Sequence, residues 1–501
     1  MSTAPAWWRD AVVYQVYPRS FQDSDGDGEG DLRGIAGRLE HIKALGADAL
    51  WLSPVYPSPM ADGGYDVADY EDVDPRFGSL DDAAKLIAAA HELDLRVLMD
   101  VVPCHTSIEH PWFREHPERY VWSDRDGPQN NWIASFGGPA WSRDPHGRGW
   151  YLHSFYPEQP DLDWRREDVR EAMAGALRFW LERGVDGFRL DALDRLLKDP
   201  RLRDNPPAAG LPPLPEYGDV GLLEQRYNRH APDIGEGLAT LRAAAGEGTL
   251  LVGEVYLPAS GLAPYLEHVD VGFAFELLHA PWRPQAIRTA IERALDPAGA
   301  AGRVAWVLSN HDFPRLPDRV GRANVRAAAL LALTLPGPVF VYQGDEIGMA
   351  DGPGREPPAD RAGRDRHRHP MRWDDDAPHG GFSAAEPWLP AIDVDGGAVA
   401  AQERDPHSML ALYRDLIALR RTLGAGLEFL DDVDDGILAY RRGSGHIVAL
   451  NLAGEPRRAP AAGAILRATH GARAPAGAAA PTVLSPGEGF LAVAGEAAVG
   501  G

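Results

Sequence analysis

The sequence predicts an α/β protein: a (β/α)8 (TIM) barrel, a subdomain inserted after the third strand, and a C-terminal antiparallel β-sandwich. Three observations carry this prediction. Short apolar runs alternate with amphipathic stretches at close spacing, the pattern of β/α units and hence of a parallel sheet. Four of these runs bring polar groups to their C-terminal ends, where a parallel barrel strand hands side chains to a site: Asp100 to His105, Gly187 to Asp191, Gly253-Glu254, and Ser309-Asn310-His311-Asp312. From about Gly424 the alternation stops and short β-type runs take over. A chain of 501 residues exceeds the roughly 250 that a barrel takes, which leaves room for both additions.

The elements follow in order. Residues 11–16 form a first apolar strand, 35–45 a helix closed by Gly46, and 49–52 the second strand. A helix over 80–93 leads to the third strand, 97–102. Residues 104–165 are rich in Trp, Pro, Gly and His and lack periodicity, so they read as the inserted subdomain. The rhythm returns with a helix over 167–183, then Gly184 and the strand ending at Asp191. Residues 200–215 are proline-rich and loop-like; strands five to eight fall at 250–255, 271–275, 304–308 and 339–342. Residues 352–376 are charged and loop-like, and 409–422 are amphipathic, as the last barrel helix should be. Runs at 436–440, 446–452 and 489–493 suggest the C-terminal sandwich. The Ala/Gly/Pro-rich residues 459–480 read as a long loop, and the extreme C-terminus as frayed. The expected division is therefore 1–103 with 166–423 for the barrel, 104–165 for the insertion and 424–501 for the β domain.

Bulk properties narrow the partners. A net charge of -24 argues against nucleic acid and anionic membranes and fits a neutral small-molecule substrate. The single cysteine, Cys104, excludes an internal disulfide and fits a reducing compartment. The N-terminus lacks a signal pattern, and no apolar run approaches the roughly 20 residues of a membrane helix. The expectation is a cytoplasmic protein, monomeric or homodimeric.

The strand ends supply the chemistry. Arg189 and Asp191 are two apart, so on a strand they point the same way. The guanidinium should keep the Asp191 carboxylate ionised, as a nucleophile needs. Glu254 ends an apolar strand, where partial burial near other carboxylates should raise its pKa and suit it as a general acid. Asp312 would grip sugar hydroxyls and stabilise an oxocarbenium-like transition state, with His311 and His105 donating hydrogen bonds. Paired carboxylates with cationic and imidazole neighbours are the usual equipment for cleaving glycosidic bonds.

In these four runs the chain resembles the α-amylase family of glycoside hydrolases, over nearly its whole length. The resemblance implies Asp191 as nucleophile, Glu254 as general acid/base and Asp312 as transition-state stabiliser. It places Arg189, His105 and His311 around the first sugar, with Tyr65 stacking and Asp66 binding hydroxyls. The run Gln159 to Trp164 is similar to the marker of the oligo-1,6-glucosidase subgroup, with Asp163 in place of the usual Asn. The run Arg368-His369-Pro370-Met371-Arg372-Trp373 is similar to another of its motifs, so that Arg368 would contact the terminal glucose and Phe155 would wall the pocket. The subgroup's pocket is blind, which implies exo action. The small Ala192 after the nucleophile goes with α-1,4 rather than α-1,6 preference in that subgroup. Cys104 stands where the family usually has Asn; cysteine is a poor ligand for hard Ca²⁺.

A separate signal is Asp23-Ser24-Asp25-Gly26-Asp27-Gly28-Glu29-Gly30-Asp31, whose alternating oxygen donors resemble the first half of an EF-hand loop. Glu29 would ligate through its carbonyl. Gly34 stands where the usual closing glutamate would be, and Asp31 could close the site instead. The subgroup resemblance implies one structural Ca²⁺ or Mg²⁺ here; a solvated acidic turn is the alternative. For the whole chain the reading is a retaining exo-acting α-glucosidase that prefers α-1,4 linkages and is open to transglucosylation. Its alternatives are a trehalose synthase, a sucrose isomerase or a dedicated transglucosylase, with a non-catalytic sugar-binding protein as the remote one.

Overall fold

The computed structural model describes residues 6–208, 221–296, 303–471 and 475–495. Eight parallel strands close a barrel: β1 (Val12–Val16), β2 (Ala49–Leu52), β3 (Arg96–Val101), β4 (Gly187–Leu190), β5 (Leu250–Gly253), β6 (Val271–Phe273), β7 (Val304–Val307) and β8 (Val339–Tyr342). Each strand pairs with its neighbour in sequence, and β8 returns to β1 with Val339 opposite Val12.

Alternation along each strand decides what reaches the mouth. Val13, Trp51, Leu98, Val252, Phe273 and Phe340 pack together inside the barrel. Their sequence neighbours Tyr14, Leu50, Val97 and Leu251 join the larger core beneath the outer helices. On β5, Leu250 and Val252 point inward, so Glu254 follows on the same side. On β4, Gly187 occupies an inward position where a Cβ would lie 2.5 Å from the Leu250 carbonyl oxygen and 2.6 Å from a Leu98 methyl. Glycine lets these strands close up, and Arg189 and Asp191 continue above it.

The outer helices include α1 (Leu32–Ala36), α2 (Leu39–Leu45), α3 (Leu80–Glu92), α4 (Glu167–Leu181), α5 (Gly235–Ala245), α6 (Pro284–Leu295), α7 (Val325–Thr334) and α8 (Met409–Arg420). Where one helix is expected over 35–45, two are found. Asp31 caps α1 by accepting from the Gly34 N–H, and the helical turn stops at Gly37. α3 begins with a capping box in which Ser79 and Asp82 satisfy each other's backbone N–H groups.

The segment between β3 and β4 carries a hairpin, Trp141–Arg143 with Trp150–Leu152, and a small core of Trp132, Ala134, Ala140, Trp141 and Leu152. Each of its strands is three residues long, too short to show alternation in sequence. Beyond α8 a five-stranded antiparallel sheet forms in the order β9-β10-β11-β13-β12, with β9 Leu427–Phe429, β10 Ile437–Arg442, β11 His446–Asn451, β12 Ile465–Ala468 and β13 Gly489–Val493. One face (Tyr440, Val448, Leu450, Leu491) joins the barrel core. The other (Ala439, Ile447, Ala449, Phe490) is covered by Ala459 and Leu484, from or beside a separate two-stranded ribbon, Arg457–Arg458 with Val483–Leu484. β12 lies inside residues 459–480, read from sequence as a loop; only Ile465 and Leu466 supply large apolar side chains there, and pairing with β13 makes it a strand. The expected proline-rich loop is described only to residue 208, and the expected frayed end lies outside the described residues. Among the described residues no helix is long and apolar enough to cross a membrane.

Candidate active site

A cavity of about 890 Å³ opens at the C-terminal ends of the strands, bordered by Tyr65, His105, Phe155, Asp191, Glu254 and Asp312 among others. This is ample for a disaccharide and within the usual range for small-molecule sites.

Arg189 sits at its base and is almost wholly buried. One guanidinium nitrogen, Nη1, lies 2.9 Å from Asp100 Oδ1 and 2.6 Å from Asp191 Oδ1; the other, Nη2, lies 2.5 Å from Glu254 Oε1. Asp191 and Glu254 are thus bridged by a single cation. Ala192, directly after Asp191, adopts a left-handed conformation (φ 46, ψ 42). That turns its N–H onto Glu254 Oε2 at 3.1 Å, at a strain cost of roughly 1–2 kcal/mol for a residue with a Cβ.

One cation divided among three carboxylates does not hold Asp191 low, contrary to the expectation from sequence. Burial, with Glu254 and Asp100 nearby, raises the Asp191 carboxyl well above its ordinary value despite Arg189. Burial likewise raises Glu254, as expected of an acid, and takes Asp100 to about 7. The three carboxyls face one cation and one another, so their protons belong to the set rather than to one residue.

Asp312 is the opposite case. Burial alone would raise it, but His311, Arg364, Arg368 and Arg189 outweigh burial and hold it well below the usual carboxylate range. Burial lowers His311 to about 3, so His311 is neutral at ordinary pH and the guanidinium groups carry the effect. Gln15 Nε2 donates to His311 Nδ1 at 2.8 Å, which leaves the ring proton on Nε2, 3.2 Å from Asp312 Oδ2. Tyr65 stacks on His311 with ring centroids 5.2 Å apart and donates to Asp100 Oδ2 at 2.9 Å. Burial lowers His105 to about 4, so it too is neutral; among the described residues its Nδ1 is buried without a partner. Phe155 packs beside His105 at 5.1 Å.

Four residues named from sequence do not border the cavity: Arg189 and His311, which touch the acids that do, and Asp66 and Arg368. Asp66 is fully buried and accepts from Ser58 Oγ and from the Ala61 and Asp62 N–H groups, so it builds the loop and is not free for a hydroxyl. Arg368 is 1% exposed, donates through Nε to the His311 carbonyl at 2.9 Å, and touches Asp312 only at 3.4 Å. Their places at the cavity wall are taken by Asp62 and Arg364, which the sequence reading missed. Arg364 Nη1 donates to Asp312 Oδ1 at 2.8 Å, Nη2 pairs with Asp62, and Nε donates to Asp360 Oδ2 at 2.8 Å. Gln159 Nε2 donates to Asp62 Oδ2 at 2.8 Å and meets His105 Nε2 at 2.9 Å, tying the insertion to the barrel mouth.

Cys104 is fully buried, its S–H directed at the Arg195 carbonyl at 3.6 Å. With His105 and Asp161 it forms a potential metal group. The Lys198 ammonium, 2.6 Å from Asp161 and 3.9 Å from Cys104 Sγ, already supplies positive charge there.

In the acidic loop, ligand oxygens of Asp23, Asp25 and Asp27 lie within 4.8 Å of one another. Burial and then the neighbouring acids Asp25, Asp23 and Glu29 raise Asp27, against the Glu29 N–H, which lowers it. This crowding suits a hard cation. Asp31 is outside the group: its oxygens accept from Ser24 N–H, Ser24 Oγ and Gly34 N–H as the cap of α1. The Glu29 side chain pairs with Arg19 at 2.5 Å.

Residues 15–425 match the model of the alpha amylase catalytic domain family. The chain is 42% identical over 486 residues to a probable alpha-glucosidase of Rhizobium meliloti (strain 1021), covering 88% of each chain. It is 35% identical over 521 residues to a probable oligo-1,6-glucosidase 3 of Bacillus subtilis (strain 168), covering 90% of this chain and 92% of that one. Among solved structures it is similar to the alpha-glucosyl transfer enzyme XgtA, with TM-score 0.88, 35% identity and coverage of 98% of this chain and 100% of the other.

Proposed function

The chain belongs to the α-amylase family of glycoside hydrolases, and from that premise we propose that it is a retaining, exo-acting α-glucosidase. The observation that carries the reading is the Arg189 guanidinium bridging Asp191 and Glu254, with Asp312 held ionised beside them. A terminal glucose enters with its far hydroxyls against Asp62 and Arg364. In this reading their buried ion pair forms the blind end of the pocket that the subgroup resemblance implies, and glucose is taken one unit at a time from the non-reducing end.

The reaction runs through the protonated form of the carboxylate set. With the shared proton on Glu254 and Asp191 ionised, an Asp191 oxygen attacks the anomeric carbon as Glu254 protonates the departing glycosidic oxygen. Charge developing on the ring is met by the Asp312 carboxylate, while neutral His311 and His105 donate to sugar hydroxyls. Glu254, now a carboxylate, takes a proton from water, which displaces Asp191 and restores the α configuration. A sugar hydroxyl in place of that water gives transglucosylation, the second reading that similarity to a glucosyl transfer enzyme favours; trehalose synthase and sucrose isomerase chemistry would pass through the same intermediate. The small Ala192 beside the nucleophile favours α-1,4 over α-1,6 linkages.

The crowded carboxylates of Asp23, Asp25 and Asp27, with the Glu29 carbonyl, would hold a structural Ca²⁺ (or Mg²⁺), whose role is to neutralise this loop. The single buried cysteine fits a cytoplasmic enzyme, acting as a monomer or homodimer. The test is turnover of maltose by Asp191→Asn: loss of activity with an unchanged melting temperature supports the assignment, and a near-normal rate ends it.

A further inference from the structure

Arg195 stands apart from the other arginines at this cavity. It lies one turn after the nucleophile, borders the cavity and is 6% exposed. Of the others that border the cavity, Arg364 and Arg229 have carboxylate partners and Arg319 donates to the Leu308 carbonyl. Among the described residues Arg195 has no ion pair and no side-chain hydrogen bond, and its Nη1 is buried without a partner. The acids nearest to it are already engaged: Asp194 lies 2.5 Å from Arg229 Nε, and Asp161 lies 2.6 Å from Lys198 Nζ. The guanidinium carbon lies 5.4 Å from the ring centroid of Phe155.

A buried guanidinium without a counter-charge is costly, and the cost is relieved when an anion reaches it. Burial, and then the like charge of Arg229, oppose its cationic form. Its charged neighbours are Arg229, Asp194, Asp161 and Lys198; none belongs to the Asp62–Arg364–Asp312 cluster that receives the terminal glucose. Arg229 donates to the carbonyl of Tyr256, two residues after the acid Glu254 that protonates the departing oxygen, which puts this group of side chains on the side of the leaving group or acceptor. Glu224, an acidic residue also bordering the cavity, is paired with Arg226 at 2.7 Å and does not neutralise it.

We propose that Arg195 is an anion-recognition residue for the aglycone, and that the preferred substrates are α-glucosides whose leaving group carries a carboxylate or a phosphate. This rests on the α-glucosidase reading and specifies the substrate class of the same site. A hydrogen bond to a charged oxygen is about twice as strong as one to a sugar hydroxyl, so the preference should be visible in kcat/KM.

The test uses matched pairs with the full-length enzyme. One pair is 2-O-α-glucosylglycerate against 2-O-α-glucosylglycerol, which differ by a carboxylate in place of a hydroxymethyl. The other is trehalose 6-phosphate against trehalose. The expected result is a kcat/KM ratio of at least about tenfold in favour of the anion in one pair, which identifies the anion as carboxylate or phosphate. That ratio should collapse toward unity in Arg195→Gln and survive in Arg195→Lys; as a ratio it is insensitive to a general loss of activity. No anion preference in either pair, or a preference that survives Arg195→Gln, overturns the proposal while maltose hydrolysis leaves the glucosidase reading standing. Failure to hydrolyse maltose and 4-nitrophenyl α-glucoside as well as all four compounds would sink both.

Discussion

Replacing Arg364 by Gln tests the account where it departs furthest from the sequence reading. Arg364 is 12% exposed and serves Asp312, Asp62 and Asp360 at once. Removing one partner of a buried ion-pair cluster costs roughly 3–5 kcal/mol, and here the loss divides. The Asp360 contact is internal to residues 360–364 and burdens the fold. The Asp62 and Asp312 contacts burden the site. Loss of one charged hydrogen bond to the terminal glucose is worth about 1.5–3 kcal/mol, or roughly 10- to 150-fold in kcat/KM. A second effect has a definite sign. Asp312 is held low chiefly by guanidinium groups, and without Arg364 only the longer 3.4 Å contact to Arg368 and the more remote Arg189 remain. Its pKa rises, so the acid limb of the pH profile moves to higher pH. The assay is glucose release from maltose between about pH 4 and pH 9, the range in which perturbed carboxyls titrate, with thermal melts alongside. Arg364→Lys keeps the charge and should recover part of both effects. A folded Arg364→Gln enzyme within about threefold of wild-type kcat/KM, a difference well under the 1.4 kcal/mol of a tenfold effect, and with the same acid limb would refute the reasoning.

Three further outcomes follow from the geometry. Burial raises Glu254, and the acid must be protonated, so activity should persist past the ordinary glutamate range of about 4.3 and fall as pH rises through the raised value. Glu254→Gln should lose about a hundredfold or more on maltose and much less on 4-nitrophenyl α-glucoside, whose leaving group needs no proton; equal losses would contradict the role. Ala192→Val should raise the isomaltose-to-maltose ratio. It should also lower stability by roughly 1–2 kcal/mol, because a β-branched residue would occupy φ 46; an unchanged ratio removes the linkage argument. Adding Ca²⁺ to chelator-treated protein should raise the melting temperature by mass action, and Asp25→Asn with Asp27→Asn should abolish that rise with kcat little changed. A melt indifferent to Ca²⁺ in the wild type would remove the site.

The barrel was legible because its signal is repeated. Apolar runs of three to six residues recur between amphipathic helices, and alternation along the strands sends Arg189, Asp191 and Glu254 to the same inner side. What stayed illegible depends on where loops place side chains. Arg364, Arg366 and Arg368 are three arginines within five residues, and nothing local says which reaches the cavity. The structure sends Arg364 to Asp62 and leaves Arg368 behind the His311 carbonyl. Asp62 and Asp66 posed the same choice: the backbone turn engages Asp66 with the Asp62 N–H, and the Asp62 side chain goes to Arg364 at the cavity wall. Asp31 offered the spacing of a metal ligand and became a helix cap instead. The upward pull on the Asp191 carboxyl was not legible, because Arg189 is its neighbour in sequence while the competing Asp100 and Glu254 come from other strands.

The central claim is that Asp191 and Glu254 act by double displacement on a terminal α-linked glucose. Its most direct test is proton NMR of maltose hydrolysis in the first minutes, before released glucose mutarotates. α-Glucose from the non-reducing end is expected as the first product, with β-glucose from that position only later, by mutarotation. Early β-glucose from the non-reducing unit would mean inversion, and would contradict a covalent intermediate on Asp191.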